Sequence, residues 1–199
     1  MPEPSSTLAT AAADPLKRRL RADTAGAHAE LERDLDLLGR VSDRQRFQRV
    51  MERFLGFHIV WERAIRQRSA LRSFHEPRSR LPHLRRDLAA LGVTNAEQSA
   101  LPRCAPAASL ADDHARAVGS IYVMEGSTLG GQVIARGLSG AAWAPAGGLT
   151  YFDPYPGRTG DMWRRFGAWA EDVTTPDQHA AASAGANRTF ALLRDWLTT

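Results

Sequence analysis

Cysteine, lysine and long apolar runs are nearly missing from this sequence. Cys104 is the one cysteine in 199 residues, so neither an internal disulfide nor a cysteine metal cluster can form, and a reducing compartment suits the chain. No stretch reaches the 18 or so consecutive apolar residues that cross a bilayer. Residues 1–13 are rich in Pro, Ser and Ala and lack the basic and apolar segments of a secretory leader. They read as a disordered tail before one domain at 14–199, and a soluble, cytoplasmic protein with no membrane role is expected. No Gly-x-Gly-x-x-Gly segment occurs, which excludes a built-in dinucleotide site of that type.

What remains is the composition of an ordinary globular domain, 43% hydrophobic and 24% charged. The formal charge is +4 and the isoelectric point about 9.9; of 26 basic residues only Lys17 is lysine. Such a surface attracts anions, whether an acidic protein partner or a carboxylate ligand. The arginines alternate with acids (Arg33-Asp34, Asp43-Arg44, Glu52-Arg53, Glu62-Arg63) as on a solvated helix face, which argues against nucleic acid as partner.

Helical periodicity runs through the chain. Leu16, Leu20, Ala27, Leu31, Leu35 and Leu38 predict a first helix over residues 14–38, with Gly39 as its stop. Ser42 and Gln45 form a capping box before the stripe Phe47, Val50, Met51, Phe54, Phe57, Trp61 and Ile65. A shorter helix is expected at 81–92, a capped one from Thr94 and Glu97, a long one at 110–138, and two more at 161–173 and 175–197, the last opened by Thr175 and Gln178. Residues 139–160, with five glycines and three prolines, read as loop. No alternating strand or repeat is evident, so the fold class is an all-α, single-domain helical bundle.

Two features point to chemistry. The segment Glu125-Gly126-Ser127-Thr128-Leu129-Gly130-Gly131-Gln132 lies inside the long helix, where each glycine costs about 1 kcal/mol relative to alanine. Either the backbone approaches a flat ligand there, or the helix kinks, or it crosses a neighbour too closely for side chains. On the first helix, Arg21, Thr24, His28, Glu32 and Leu35 fall on one stripe. His28 is an available metal ligand with Glu32 one turn on to orient its ring, and Arg21 about 10 Å earlier suits a carboxylate. One histidine cannot hold bare iron but can hold iron already carried by a porphyrin.

These residues resemble the haem oxygenase family. The segment from Leu20 to Glu32 is similar to that family's proximal helix, with its Thr-x-x-x-His-x-x-x-Glu setting; Tyr122 to Gln132 is similar to the distal helix, whose Gly-Gly pair covers the haem. Gly148-Leu149-Thr150-Tyr151-Phe152 matches the aromatic pair after the family's long loop, Arg164 falls where a basic residue meets the propionates, and Phe190 where the last helix adds an aromatic wall. The resemblance implies a bundle with haem b, substrate and cofactor together, between the first helix and the glycine-kinked distal helix. It implies His28 as iron ligand, Arg21, Thr24, Glu32, Tyr151, Arg164 and Phe190 as haem contacts, and Gly126, Ser127, Thr128, Gly130 and Gly131 as the distal catalytic segment. O2 and electrons from an external reductase or ferredoxin would give biliverdin, ferrous iron and carbon monoxide.

Many members carry aspartate where this chain has Ser127, and a hydroxyl cannot supply a carboxylate's charge. The wording Glu-Gly-Ser-Thr-Leu-Gly-Gly is similar to the oxygenases that accompany bacterial phytochromes, which implies a bacteriophytochrome as bilin acceptor. Three rivals stand beside this reading. One is a haem carrier or sensor without turnover; another is a non-haem di-iron oxidase using Glu32, Asp112, Asp113 and His114, although the Glu-x-x-His repeats such sites use are missing. The third is a purely structural helical module. Of the other histidines, His58 reads as a boundary residue and His75, His83, His114 and His179 as exposed.

Overall fold

Apolar residues three and four apart dictate helices, and the computed structural model, which describes residues 15–40, 43–145 and 149–199, holds nine α-helices and no strand among those residues. They are α1 Pro15–Leu35, α2 Leu37–Arg40, α3 Arg44–Gln67, α4 Ser69–His75, α5 Leu81–Ala90, α6 Asn95–Ala100, α7 His114–Ser139, α8 Thr159–Trp169 and α9 Pro176–Thr198. Turns of 3₁₀-helix occupy Glu76–Arg78, Ala105–Ala111 and Ala170–Asp172. Among the described residues no helix is long and apolar enough to cross a membrane.

Several boundaries follow the capping chemistry. Two of the three expected capping boxes, Thr94 with Glu97 and Thr175 with Gln178, are formed, and Gly92 ends α5 with φ 92°, a conformation glycine adopts without strain. Other boundaries differ from expectation. Gly39 does not stop the first helix: α1 ends at Leu35 because Asp36 turns to φ 41°, and the Asp36 carboxylate then accepts from Gly39 N at 3.2 Å to start α2. Asp36 thus does as a C-cap what glycine usually does. Asp43 caps α3, accepting from Gln45 N and Arg46 N; Ser42, the expected cap, lies outside the described residues, as do the tail and Gly148. The long helix starts only at His114, capped by Asp113, because 3₁₀-helix takes up the preceding Ala105–Ala111. Helix α4 was not expected at all.

The α3 stripe forms the centre of the core: Phe47, Met51, Phe57, Trp61 and Ile65 are fully buried, and Trp61 Nε1 donates to Ser120 Oγ on α7 at 2.8 Å. Helix α9 lies between α1 and α7. A methyl group on Gly119 would come within 1.9 Å of the Ala182 carbonyl, and one on Gly185 within 2.2 Å of the Arg116 carbonyl. These two glycines make the close α7–α9 crossing, so the glycine-rich segment further along α7 is not needed for it. On the other side, Ser183 Oγ donates to Asp23 at 2.6 Å and Asn187 to the Asp23 carbonyl at 3.2 Å, fastening α9 to α1. Helices α1 and α7 are therefore held by a common partner.

Candidate functional site

Helix α7 meets the α1–α2 segment at two places. Near one end, Tyr122 of α7 faces Thr24 and Arg21 of α1; burial raises the phenol's pKa, while the Thr24 hydroxyl and the Arg21 charge oppose that rise. Near the other, a methyl group on Gly137 would touch Leu38 of α2 at 3.8 Å. Fifteen residues separate Tyr122 from Gly137, about 22 Å of helix. Gly126, Leu129, Gly130 and Val133 follow Tyr122 by 4, 7, 8 and 11 residues, so all point within about 80° of its direction. Leu129 and Val133 are 44% and 47% exposed, and a methyl group on Gly130 would meet nothing within 4 Å. The large apolar side chains left exposed among the described residues are Leu38, Leu129 and Val133. All three border this one interval, and a contiguous exposed apolar patch marks a binding surface.

His28 lies on α1 one turn from Thr24, its side chain 54% exposed, with Nε2 3.4 Å from Glu32 Oε1. Behind it the ring meets Phe190 of α9 at 5.3 Å between centroids. A ring held through one nitrogen leaves the other for a ligand bond. At the Gly126 end, Trp163 of α8 lies 3.8 Å from where a Gly126 methyl would sit. It stacks on Phe166 and carries Lys17 Nζ 5.6 Å above its ring. Arg21 is exposed beside Tyr122, and Arg164 is exposed on α8, paired with Asp161 at 3.3 Å.

Four of the expected site residues lie off this interval. Gly131 follows Tyr122 by nine residues and points the opposite way; a methyl group there would come within 2.2 Å of the Phe152 carbonyl. The Gly-Gly pair is therefore divided, one glycine open to the interval and its neighbour packed on a loop. Thr128 is buried in the core, its hydroxyl donating to the Glu125 carbonyl at 2.7 Å. Tyr151 is also core, its hydroxyl sharing a 3.0 Å hydrogen bond with His58 Nε2. Thr24 is buried and donates to the Leu20 carbonyl at 2.6 Å, so its hydroxyl braces α1. Ser127 lies on the flank of α7, donating to the Met124 carbonyl at 2.8 Å. Such bonds back along a helix tend to bend it.

The buried network around His58 was not foreseen. His58 and His75 are buried, against expectation, and His83, His114 and His179 are half-buried. Glu62, buried on α3, meets His58 Nδ1 at 3.1 Å and His75 Nε2 at 3.3 Å, and accepts from Ser79 Oγ at 2.6 Å and Arg80 N at 2.9 Å. His58-x-x-x-Glu62 repeats the spacing of His28-x-x-x-Glu32, one pair turned inward and the other outward. Burial lowers the His58 pKa against the pull of Glu62. Burial alone would raise that of Glu62, but the hydrogen bond from His58 and the nearness of His75 outweigh it and hold the carboxylate ionised. A histidine whose folded pKa lies below the ordinary 6.5 favours folding above that pH and opposes it below; the depressed carboxylate acts with the same sign lower down, its contribution being lost as pH falls below about 4.5. The melting temperature of the protein is therefore expected to fall as pH drops from 7 to 5, and a flat calorimetric profile over that range contradicts the network.

Two cavities lie elsewhere, one of about 390 Å³ outside α3 against Ile59, Val60 and Arg63, the other of about 260 Å³ beside Ala135, Leu138 and Leu149. Among the described residues no group of three or more His, Cys, Asp and Glu is arranged to hold a metal ion. Asp113 instead caps α7, and His114 packs near Trp169.

Taken together, fold and site define an all-α clasp, with an imidazole on one jaw and a glycine-relieved helix on the other. The chain belongs to the haem oxygenase family: the family model described as Heme oxygenase matches residues 14–199. A heme oxygenase of Xanthomonas campestris pv. campestris (strain 8004) is 40% identical over 115 residues, which span 57% of this chain and 64% of that protein. The fold is similar to that of heme oxygenase from Leptospira interrogans, with TM-score 0.77 at 15% identity over 92% of this chain and 98% of that one. It is equally similar to heme oxygenase-2 from Synechocystis sp. PCC 6803, solved in complex with heme and NO, with TM-score 0.77 at 19% identity over 92% and 83% of the two chains.

Proposed function

We propose that this protein cleaves haem, using O2 and external electrons, to biliverdin, ferrous iron and carbon monoxide, binding it in the interval between α1 and α7. The observation that carries the reading is the uncovered apolar stretch Leu129, Gly130 and Val133, bounded by Tyr122 and Gly137, with the half-exposed His28 on the facing helix. The donor set fits an iron porphyrin, which needs one imidazole, an apolar slot and basic groups at one edge. His28 would hold the iron, braced by Glu32 and backed by Phe190, while Arg21, Lys17 and Arg164 stand at the Gly126 end for the propionates. The bound haem supplies the redox centre and is itself oxidised.

The chain's own residues do the rest. Gly126 and Gly130 let the α7 backbone lie against one porphyrin face, and Leu129 and Val133 exclude water around it. The Ser127 hydroxyl has its proton engaged by Met124 O, so it presents lone pairs: it can hold a water by accepting from it but does not donate. Thr128 is withdrawn into the core and takes no part. Electrons would come from a reductase or ferredoxin whose acidic face suits the net charge of +4. We propose a cytoplasmic role, with the bilin passing to a bacteriophytochrome.

The missing distal carboxylate supports one second reading, a haem carrier or sensor. Supplying the haem-loaded protein with a reductant under air separates the two. The oxygenase reading expects loss of the Soret band and appearance of a green bile pigment with one carbon monoxide per haem. A stable haem spectrum after many minutes would leave only the carrier.

A further inference from the structure

The glycine segment of α7 follows directly on a buried charge cluster. Glu125 is 3% exposed, and its carboxylate meets Arg78 Nε at 3.3 Å, Arg80 Nη2 at 3.6 Å and the Tyr155 hydroxyl at 3.2 Å. Both arginines come from the corner between α4 and α5 and are themselves buried, at 7% and 4% exposure. Arg78 is fixed in turn by donating to the Phe74 carbonyl at 3.0 Å and lying 3.7 Å over the Phe74 ring.

Arg80 reaches further. Its Nη2 donates to the Met124 carbonyl at 3.1 Å and its Nη1 to the Tyr151 carbonyl at 3.4 Å, while its backbone N donates to Glu62. The Met124 carbonyl is also the acceptor of the Ser127 hydroxyl. The Tyr151 carbonyl belongs to the loop whose next carbonyl, Phe152, packs on Gly131. That loop is held from the other side by Asp87, which accepts from Thr150 N at 2.8 Å and Tyr151 N at 2.7 Å. One guanidinium therefore joins the last fixed turn of α7 to the loop behind its glycine segment.

A buried charge costs several kcal/mol of desolvation in general, so a cluster of this kind is weak support for stability and better understood through what it positions. We propose that Arg80, with Arg78 and Glu125, is a positioning group for the distal backbone: it holds α7 at Met124–Glu125 so that Gly126 and Gly130 stand at a fixed height over the interval. Arg80 touches no substrate. It acts through the carbonyls of Met124 and Tyr151, and a rigid backbone at Gly126 is what would decide which edge of the ring faces the reacting oxygen. The inference rests on the haem reading for its consequence, but its structural half can be tested without haem.

The test uses the full chain with Arg80→Gln, which keeps a polar amide but is shorter and uncharged, and Arg80→Lys, which keeps charge and loses the fork geometry needed to serve two carbonyls at once. Amide hydrogen exchange of the haem-free protein is read first. Exchange at residues 126–131 is expected to quicken at least tenfold in both variants, with α3 and α9 unchanged. Equal exchange in variant and wild type, or a uniform rise along the whole chain, overturns the positioning role. Haemin titration and turnover are read next. The variants are expected to bind haemin within about threefold of wild type yet give an altered ratio of biliverdin isomers, and an unchanged ratio overturns the functional half. Should Arg80→Gln not fold, Arg80→Lys carries both readouts. Failure of the haem reading itself would show in the wild type, as no Soret band on titration, whatever the exchange data.

Discussion

His28→Ala is expected to keep its fold and to lose the iron ligand. The side chain is half exposed, makes no core contact beyond the edge of Phe190, and pairs only with a surface glutamate, so stability should change by less than about 0.5 kcal/mol, as for an ordinary surface site. Haemin titration should then show a shifted, weakened Soret band. Loss of residues that merely orient a metal ligand costs about 10- to 100-fold in affinity or activity, and loss of the ligand itself should cost activity at the upper end or beyond. Added imidazole, entering the space the side chain vacates, should restore the wild-type spectrum. A variant with unchanged spectrum and turnover would remove His28 from the site and leave the haem, if bound at all, held from elsewhere.

The second large effect separates two adjacent glycines. Gly130→Leu places a side chain where nothing lies within 4 Å. It should raise the stability of the haem-free protein, because leucine favours helix over glycine by roughly 0.8 kcal/mol, while filling the interval and reducing haemin affinity by on the order of 100-fold. Gly131→Ala should do the reverse. Its methyl would sit 2.2 Å from the Phe152 carbonyl, and overpacking of this kind costs about 1–3 kcal/mol. The loop would shift while the open face of α7 stayed free, so melting temperature should fall with little direct effect on haemin affinity. Calorimetry and Soret titration of both variants check the pair, and the same sign of stability change in each would refute the division.

That division shows where sequence reasoning reached and where it stopped. Periodicity located the long helices, and the boxes at Thr94 and Thr175 fixed two helix starts, because capping is a local matter of four residues. The break at Asp36 escaped because an aspartate with positive φ carries no signal when a glycine stands three residues on. Helix α4 escaped because its apolar positions are too few to show a period. In the proposed site, the His28–Glu32 pair is legible as a spacing on one stripe, and the glycine segment as an anomaly in helix propensity. The direction in which each glycine faces was not: Gly131 depends on a loop held by Asp87, more than 40 residues away in the chain. The resemblance implies Tyr151 as a haem contact and Thr128 as part of the distal catalytic segment, yet the core claims both. His58 reads as a boundary residue until Glu62 and Tyr151 are seen to hold its two ring nitrogens in the core.

A binding role for the open face would also account for a chain that leaves Leu129 and Val133 half exposed while burying Glu62 and Glu125. Glu62 and Glu125 are matched by histidines and arginines from α3, α4 and the corner before α5, whereas the apolar pair on α7 is left about half exposed among the described residues. Exposed apolar surface of this kind is retained for binding.

Amide hydrogen exchange, compared with and without one equivalent of haemin, measures this directly. Protection is expected in two stretches, residues 25–32 of α1 and 126–133 of α7, with none at residues 59–67, which border the larger cavity outside α3. Protection at 59–67 with no change at 126–133 would contradict the claim that the interval between α1 and α7 is the haem site.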